Sequence, residues 1–156
     1  MALFGTDGVR GVAGVDLTAE LAFNLSTAAA SVLADLGEFA GHRPTAIVGQ
    51  DSRASGQYLE EAICRGLSSA GINVYRVGIL PTPAISFLVK DRGADLGVMI
   101  SASHNPASDN GIKFFDRTGS KLADQIEAKI ESVLGKTVVS TNGAGKVIED
   151  LEAKES

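Results

Sequence analysis

Residues 96–106 read LGVMISASHNP, and residues 109–115 read DNGIKFF. The first five residues are apolar and include β-branched side chains, which predicts a buried strand. That pattern stops at an Asn-Pro pair, which disfavours helix, and an Asp-Asn-Gly turn follows. A potential nucleophile, Ser103, and a titratable neighbour, His104, therefore lie on a tight loop past a strand end, with the cation of Lys113 on the return segment. Because ligands bind at that position in open α/β sheets, we interpret this loop as the active loop.

Outward from this loop, the chain alternates between strand and helix patterns. Apolar spacing predicts strands at 45–49, 72–77, 96–100 and 112–115, and helices that begin at Thr18, near Ser55, at Thr82 and after Gly119. Glycines are predicted to end those helices at 37 or 41, 71, 93 and 135. This order predicts an α/β fold: a three-layer α/β/α sandwich with a mixed, mainly parallel sheet.

Polar segments follow the strand ends on one predicted edge of this sheet. They are residues 51–53, Thr82 and the Ser103–His104 loop, and right-handed βαβ connections would bring them together. In the second strand's loop, Ser55 is expected to cap the following helix. Arg53 in the same loop is either an anion contact or a contact that organises the loop.

The N-terminal residues 4–11, FGTDGVRG, are predicted to form a loop, because three glycines in eight residues favour neither helix nor strand. Exposed backbone N–H groups and the Arg10 guanidinium suit an oxyanion or phosphate ligand. The alternative is a plain turn in which Asp7 and Arg10 pair with each other.

Composition limits the class of protein and its partners. The 156 residues are 44% hydrophobic and 21% charged, which is typical of a globular domain with a core and excludes a disordered chain. A net charge of −5 argues against nucleic acid or an anionic membrane as the main partner. One cysteine, Cys64, permits no intramolecular disulfide. Without a long apolar run or a signal-peptide pattern at 1–5, we expect a cytoplasmic protein.

The candidate side chains favour phosphoryl chemistry over hydrolysis. Adjacent residues on an extended loop point to opposite sides, so Ser103 and His104 need not form a nucleophile–base pair. The sequence contains neither a Gly-x-Ser-x-Gly elbow nor the Gly-rich Lys-Ser/Thr loop of nucleotide-dependent kinases. Its surplus of oxyanion donors, Arg10, Arg53 and Lys113, fits a reaction in which positioning and charge neutralisation dominate.

Four motifs resemble those of the α-D-phosphohexomutases and occur in the same order. They are FGTDGVRG at 4–11, GQDSRASG at 49–56, PTPA at 81–84 and SASHNP at 101–106. With DNGIKFF at 109–115, the resemblance is greatest to the bacterial branch that interconverts glucosamine 6-phosphate and glucosamine 1-phosphate. It spans nearly the whole chain, to about residue 134, and implies the fold of the first domain of that family.

The resemblance also implies roles for individual residues. Ser103 would carry a phosphoryl group, and its phosphate would be one ligand of a Mg²⁺ ion. Arg10 would lie near that phosphoserine, and His104 and Lys113 would assist proton transfer or charge stabilisation. Substrate phosphate contacts would come from Thr6, Arg10 and Arg53. Glucosamine 1,6-bisphosphate, or another hexose bisphosphate, would be the intermediate and activator.

The resemblance covers one domain of a family with four. It implies that residues 1–135 are domain I and that 136–156 are a tail or the start of a linker to a second domain. The Asp-Gly-Asp-Gly-Asp loop that supplies the other Mg²⁺ ligands is absent from the sequence, so we expect this chain alone to be inactive and to need the remaining domains as partners. Alternatives are a phosphomannomutase or phosphoglucomutase, a phosphosugar-binding module without catalysis, and a subunit that joins a separately encoded remainder.

Overall fold

A computed structural model describes residues 3–5, 8–102, 105–136 and 144–149. Its strands are β1 (Val9–Val12), β2 (Thr45–Gln50), β3 (Asn73–Ile79), β4 (Leu96–Ile100), β5 (Asp109–Phe115) and β6 (Val147–Glu149). Its helices are α1 (Ala19–Asp35), α2 (Gly56–Ser69), α3 (Thr82–Arg92) and α4 (Asp124–Val133).

The strands form one mixed sheet in the order β1-β5-β4-β2-β3-β6. Strand β2 pairs in parallel with β3 and β4, and β3 pairs in parallel with β6. Strand β5 returns antiparallel to β4, and β1 pairs antiparallel with β5. The predicted mixed, mainly parallel sheet is confirmed, including the hairpin-like return after the active loop.

Helices cover both faces of the sheet, which confirms the predicted three layers. Helices α1, α2 and α4 pack on one face through residues such as Leu25, Leu59 and Ile130. Helix α3 packs on the other face through Ile85 and Val89. We call these the thick face and the thin face. Strand residues alternate between them, which decides where each site residue points.

The helix limits follow the predicted signals closely. Thr18 caps α1, because its Oγ1 accepts a hydrogen bond of 3.1 Å from the backbone N–H of Leu21. Beyond the C-termini of α1, α2 and α3, Gly37, Gly71 and Gly93 have positive φ, the conformation that glycine adopts without steric cost. Among the residues described, no helix has both the length and the apolar character needed to cross a membrane.

Two short strands fall where the sequence predicted none. The prediction of a loop was wrong for Val9–Val12, because Val9 is buried in the core and β5 offers an edge for pairing. Tertiary context outweighs glycine's low strand propensity there. Beyond the predicted domain limit at residue 135, Val147–Glu149 adds a strand to β3. That limit stays a prediction, but part of the expected tail joins this sheet.

Candidate active site

The carboxyl ends of β2, β3 and β4 meet at one edge of the sheet, which we call the carboxyl edge. The backbone N–H of Asp51 donates to the carbonyl of Ile100 at 3.0 Å, and that of Leu80 donates to the carbonyl of Gln50 at 3.1 Å. These bonds extend the strand pairing into the loops. The predicted convergence of the loops after β2, β3 and β4 is therefore confirmed.

Backbone hydrogen bonds close the loop between β4 and β5. The backbone N–H of Ser101 donates to Gly111 at 2.9 Å, and that of Asn105 donates to Ala102 at 3.0 Å. A further turn joins Asp109 to Pro106 at 2.9 Å. Three predicted site residues, Thr6, Ser103 and His104, lie outside the described residues.

Gly111 allows the loop and β1 to approach β5 closely. A Cβ atom at this position would lie 2.7 Å from the carbonyl oxygen of Ser101 and 3.0 Å from Cγ of Arg10. The first distance is to backbone, which has little freedom to move away. The Asp-Asn-Gly sequence predicted a turn, and that prediction was wrong, because these three residues begin strand β5 and pair with β1. The close approach of three chain segments is the physical reason that glycine is needed here.

Arg10 and Lys113 lie on the thin face of the sheet. Their strand neighbours Val9 and Ile112 are buried on the thick face, and side chains alternate along a strand. In the sheet register Arg10 is opposite Gly111, which places it diagonally across from Lys113. Nη1 of Arg10 also donates to Oδ1 of Asn105 at 3.3 Å. The fold thus brings two predicted cations beside the active loop.

Arg53 makes extensive contacts with that loop. Its guanidinium donates to the carbonyl oxygens of Asn105, Pro106 and Asp109 at 3.1, 2.7 and 3.1 Å. Its Nε donates to Oδ2 of Asp51 at 3.0 Å. Of the two alternatives that the sequence left open, these contacts support the role in organising the loop. The predicted phosphate contact stays a prediction.

Ser55 does not cap α2 with its side chain, so that prediction was wrong. Its backbone is already in the helical region, and its Oγ instead accepts a hydrogen bond of 2.8 Å from Nδ2 of Asn110. Asn110 is fully buried, and its Oδ1 accepts from the backbone N–H of Gly111 at 2.9 Å. Asn110 carries no signal for this role in the sequence, because nothing in its spacing distinguishes a buried amide from a turn residue.

The carboxylates near the loop are engaged with other side chains. Asp51 accepts from Arg53, and Oδ2 of Asp109 accepts from Nδ2 of Asn105 at 3.2 Å. Within the described ranges, no group of three or more His, Cys, Asp or Glu side chains is arranged to hold a metal ion. These residues therefore do not make a Mg²⁺ site by themselves, since that ion needs several oxygen ligands in octahedral array.

Comparison with protein families gives a match over most of the chain. Residues 1–138 match the family described as phosphoglucomutase/phosphomannomutase, alpha/beta/alpha domain I. A solved structure described as a phosphoglucomutase/phosphomannomutase family protein from Burkholderia thailandensis superimposes with a TM-score of 0.79 at 28% identity. The superposition covers 99% of this chain and 35% of that one.

Two curated relatives named phosphoglucosamine mutase are more similar in sequence. The protein from Streptomyces griseus is 66% identical over 84% of this chain and 29% of its own length. The protein from Thermobifida fusca is 56% identical over 98% of this chain and 34% of its own length. The chain thus spans about a third of the length of the relatives it matches.

Proposed function

The chain belongs to the phosphoglucomutase/phosphomannomutase family as its α/β/α domain I, and from that premise we propose that it is the phosphoserine-bearing domain of a phosphoglucosamine mutase. The full-length protein would interconvert glucosamine 6-phosphate and glucosamine 1-phosphate. The observation that carries this proposal is the meeting of three motif segments at the carboxyl edge. Arg10 on β1 and Arg53 after β2 both contact the loop that follows β4. The names and high identity of the curated relatives support the choice of glucosamine phosphates.

The proposed reaction is a phosphoryl transfer in two directions. A sugar hydroxyl attacks the phosphorus of phosphorylated Ser103, the bond from phosphorus to Oγ breaks, and a bisphosphorylated sugar forms. The hydroxyl proton goes to a nearby base. The bisphosphate then reorients, Oγ of Ser103 attacks its other phosphorus, and the bond from that phosphorus to the sugar oxygen breaks. The base returns its proton to that oxygen, which restores the phosphoserine and releases the isomeric monophosphate. Most of the catalysis in such a transfer comes from positioning and charge neutralisation.

The cations of the site would supply that neutralisation. Arg10 and Lys113 lie on one face of the sheet beside the loop, which supports a role in stabilising charge on the transferring group. His104 is proposed to assist proton transfer, and Thr6 to contact substrate phosphate. Both of these roles come from the family resemblance, since the two residues lie outside the described ranges.

Mg²⁺ binding is proposed only for a longer protein. The described residues do not fit that ion, because Asp51 and Asp109 are engaged within the loops. The phosphate on Ser103 would be one ligand of the ion, with carboxylates supplied by further domains. A hexose bisphosphate is proposed as activator, because it would phosphorylate Ser103 when that residue is unmodified.

The proposal extends to the organisation of the protein. Residues 1–135 would form domain I, and the remaining domains would be its partners, which is supported by the chain's coverage of about a third of its relatives. This chain alone would show negligible turnover, because substrate-selecting and metal-binding segments would lie elsewhere. A cytoplasmic location is proposed from the presence of a single cysteine.

The test is turnover of glucosamine 1-phosphate by the full-length protein and its serine variants. Ser103→Ala should lower kcat by about 10⁴-fold or more, because the phosphoryl carrier is removed. Ser101→Ala, in the same loop, is the matched control and should retain activity within about tenfold. Full activity of Ser103→Ala would contradict the proposal. Faster turnover of glucose or mannose phosphates would assign the protein to another branch of the family.

A further inference from the structure

We propose that Arg53 is a positioning residue: it fixes the backbone of the active loop and acts on phosphoryl transfer through that loop. The expected effect on kinetics rests on the proposed function. Its structural part concerns only residues that the structure describes, and it can therefore be tested separately.

The acceptors of the Arg53 side chain point to this role. Three backbone carbonyl oxygens, from Asn105, Pro106 and Asp109, receive hydrogen bonds from one guanidinium. These residues lie two to six positions after the predicted phosphoryl carrier, and the last of them is the first residue of β5. A planar fork with several N–H donors in fixed directions can hold such a turn, whereas a single ammonium group cannot span it.

Arg53 is itself held firmly in place. Asp51 accepts from both the Nε and the backbone N–H of Arg53, at 3.0 and 3.1 Å. The Arg53 side chain is 11% exposed and that of Asp51 is 27% exposed, so water screens this pair weakly. The backbone N–H of Asp51 donates in turn to Ile100 at the end of β4. Bonds therefore run from β4 through Asp51 and Arg53 to the far side of the loop.

A second bridge from the same segment restrains the start of β5. Asn110 donates to Ser55, two residues after Arg53, and also accepts from the backbone of Gly111. The loop after β2 thus contacts residues 105 and 106 of the active loop and residues 109 and 110 at the start of β5. When a loop that bears a reacting group shifts, the reaction rate falls steeply, by about 100-fold for a displacement near 1 Å.

Kinetic analysis of the full-length protein tests the consequence. Arg53→Ala and Arg53→Lys should both lower kcat by about 100-fold with KM for glucosamine 1-phosphate nearly unchanged. Lysine keeps the charge but not the fork, and it binds phosphate as a point charge, so it would restore KM in part if Arg53 bound substrate phosphate. Asp51→Asn should give a smaller loss of kcat, about tenfold. A KM increase in Arg53→Ala that Arg53→Lys reverses in whole or in part would overturn the proposal, as would unchanged kinetics in both variants.

Hydrogen exchange tests the structural part without reference to activity. Backbone amides of residue 105 and residues 107–111 should exchange roughly tenfold faster in Arg53→Ala, because charge-assisted hydrogen bonds to the loop are lost. Arg43→Ala is the matched control, since Arg43 donates to the carbonyl of Gly71 at 2.9 Å at the opposite edge of the sheet. It should leave the exchange of those loop amides unchanged.

Unchanged exchange in Arg53→Ala would overturn the proposal. A different outcome is faster exchange in Arg53→Ala together with a wild-type protein that turns over no sugar phosphate. That result would refute the proposed function but would still show that Arg53 fixes the backbone of the loop.

Discussion

The carboxyl edge of the sheet and the opposite edge, which we call the amino edge, both place an aspartate beside a basic side chain, but with different results. At the amino edge, Asp95 accepts from His42 Nε2 at 2.7 Å and from the backbone of Thr45 at 2.9 Å. At the carboxyl edge, Asp51 holds Arg53, which bonds the backbone of a second loop. The first pair joins the starts of neighbouring strands. The second organises the loop that follows β4, an arrangement typical of a functional site on a rigid scaffold.

The largest expected effect is on the labelling of Cys64, a buried thiol that lies at neither edge and whose reactivity reports whether a variant at either edge opens the core. Cys64 on α2 is buried, and burial raises its pKa to about 12. Near pH 8 its thiol should react with a disulfide reagent about 1000-fold more slowly than an exposed thiol, because little thiolate forms. Labelling should thus report opening of the core. Rapid labelling of the native protein would contradict the described packing.

Gly111→Ala should have the largest effect on stability among edge variants. The new Cβ would lie 2.7 Å from the backbone of Ser101, so we expect a loss of about 3 kcal/mol or more in the free energy of unfolding and faster Cys64 labelling. Urea denaturation measures it. Gly37→Ala is the control, because Gly37 has a positive φ of 80° but no heavy atom within 4 Å, and should lose about 1–2 kcal/mol. Equal losses would show that the carboxyl edge is not closely packed.

Asp95→Ala should separate the edges by function. It leaves the Thr45 N–H without its acceptor and should lower the free energy of unfolding by about 1–3 kcal/mol. The contacts described for Asp95 lie at the amino edge, so kcat per folded molecule should stay within about twofold of wild type. Asp51→Asn should show the reverse pattern, with little loss of stability and a clear loss of kcat. The same pattern in both variants would break the comparison.

His42 should give the smallest effect, and one that depends on pH. The hydrogen bond to Asp95 and a second to the carbonyl of Ala40 raise the pKa of His42 above 6.5. Protonated His42 therefore stabilises the fold fully below its unfolded-state pKa, and this contribution is lost as pH rises through the folded-state pKa. The Tm difference between wild type and His42→Gln should be larger near pH 5.5 than near pH 8.5. A difference that grows with pH would contradict this assignment.

Local signals in the sequence predicted much of the fold. Thr18 as a cap, glycines at helix ends and apolar strand runs each act over a few residues, and the structure follows them. The convergence of loops followed from the handedness of βαβ connections. Strand β1 could not be predicted in this way, because its residues favour a loop until β5 supplies a partner.

For the candidate site, too, local features were predictable from the sequence and contacts between distant residues were not. Its residue types and motifs were readable in the sequence, but the contacts that join them were not. The bond between Ser55 and Asn110 connects residues 55 positions apart, and the carbonyl acceptors of Arg53 have no side-chain signature at all. Such contacts depend on how two loops meet, which spacing along one chain does not encode.

Phosphorylation of Ser103 is the property from which the proposed function follows. Intact mass and peptide mapping of the full-length protein, after incubation with glucosamine 1,6-bisphosphate and Mg²⁺, would measure it directly. We predict one phosphoryl group on Ser103, absent in Ser103→Ala and exchanged during turnover of glucosamine 1-phosphate. A protein that turns over this sugar phosphate while Ser103 stays unmodified throughout would contradict the assignment of the active loop.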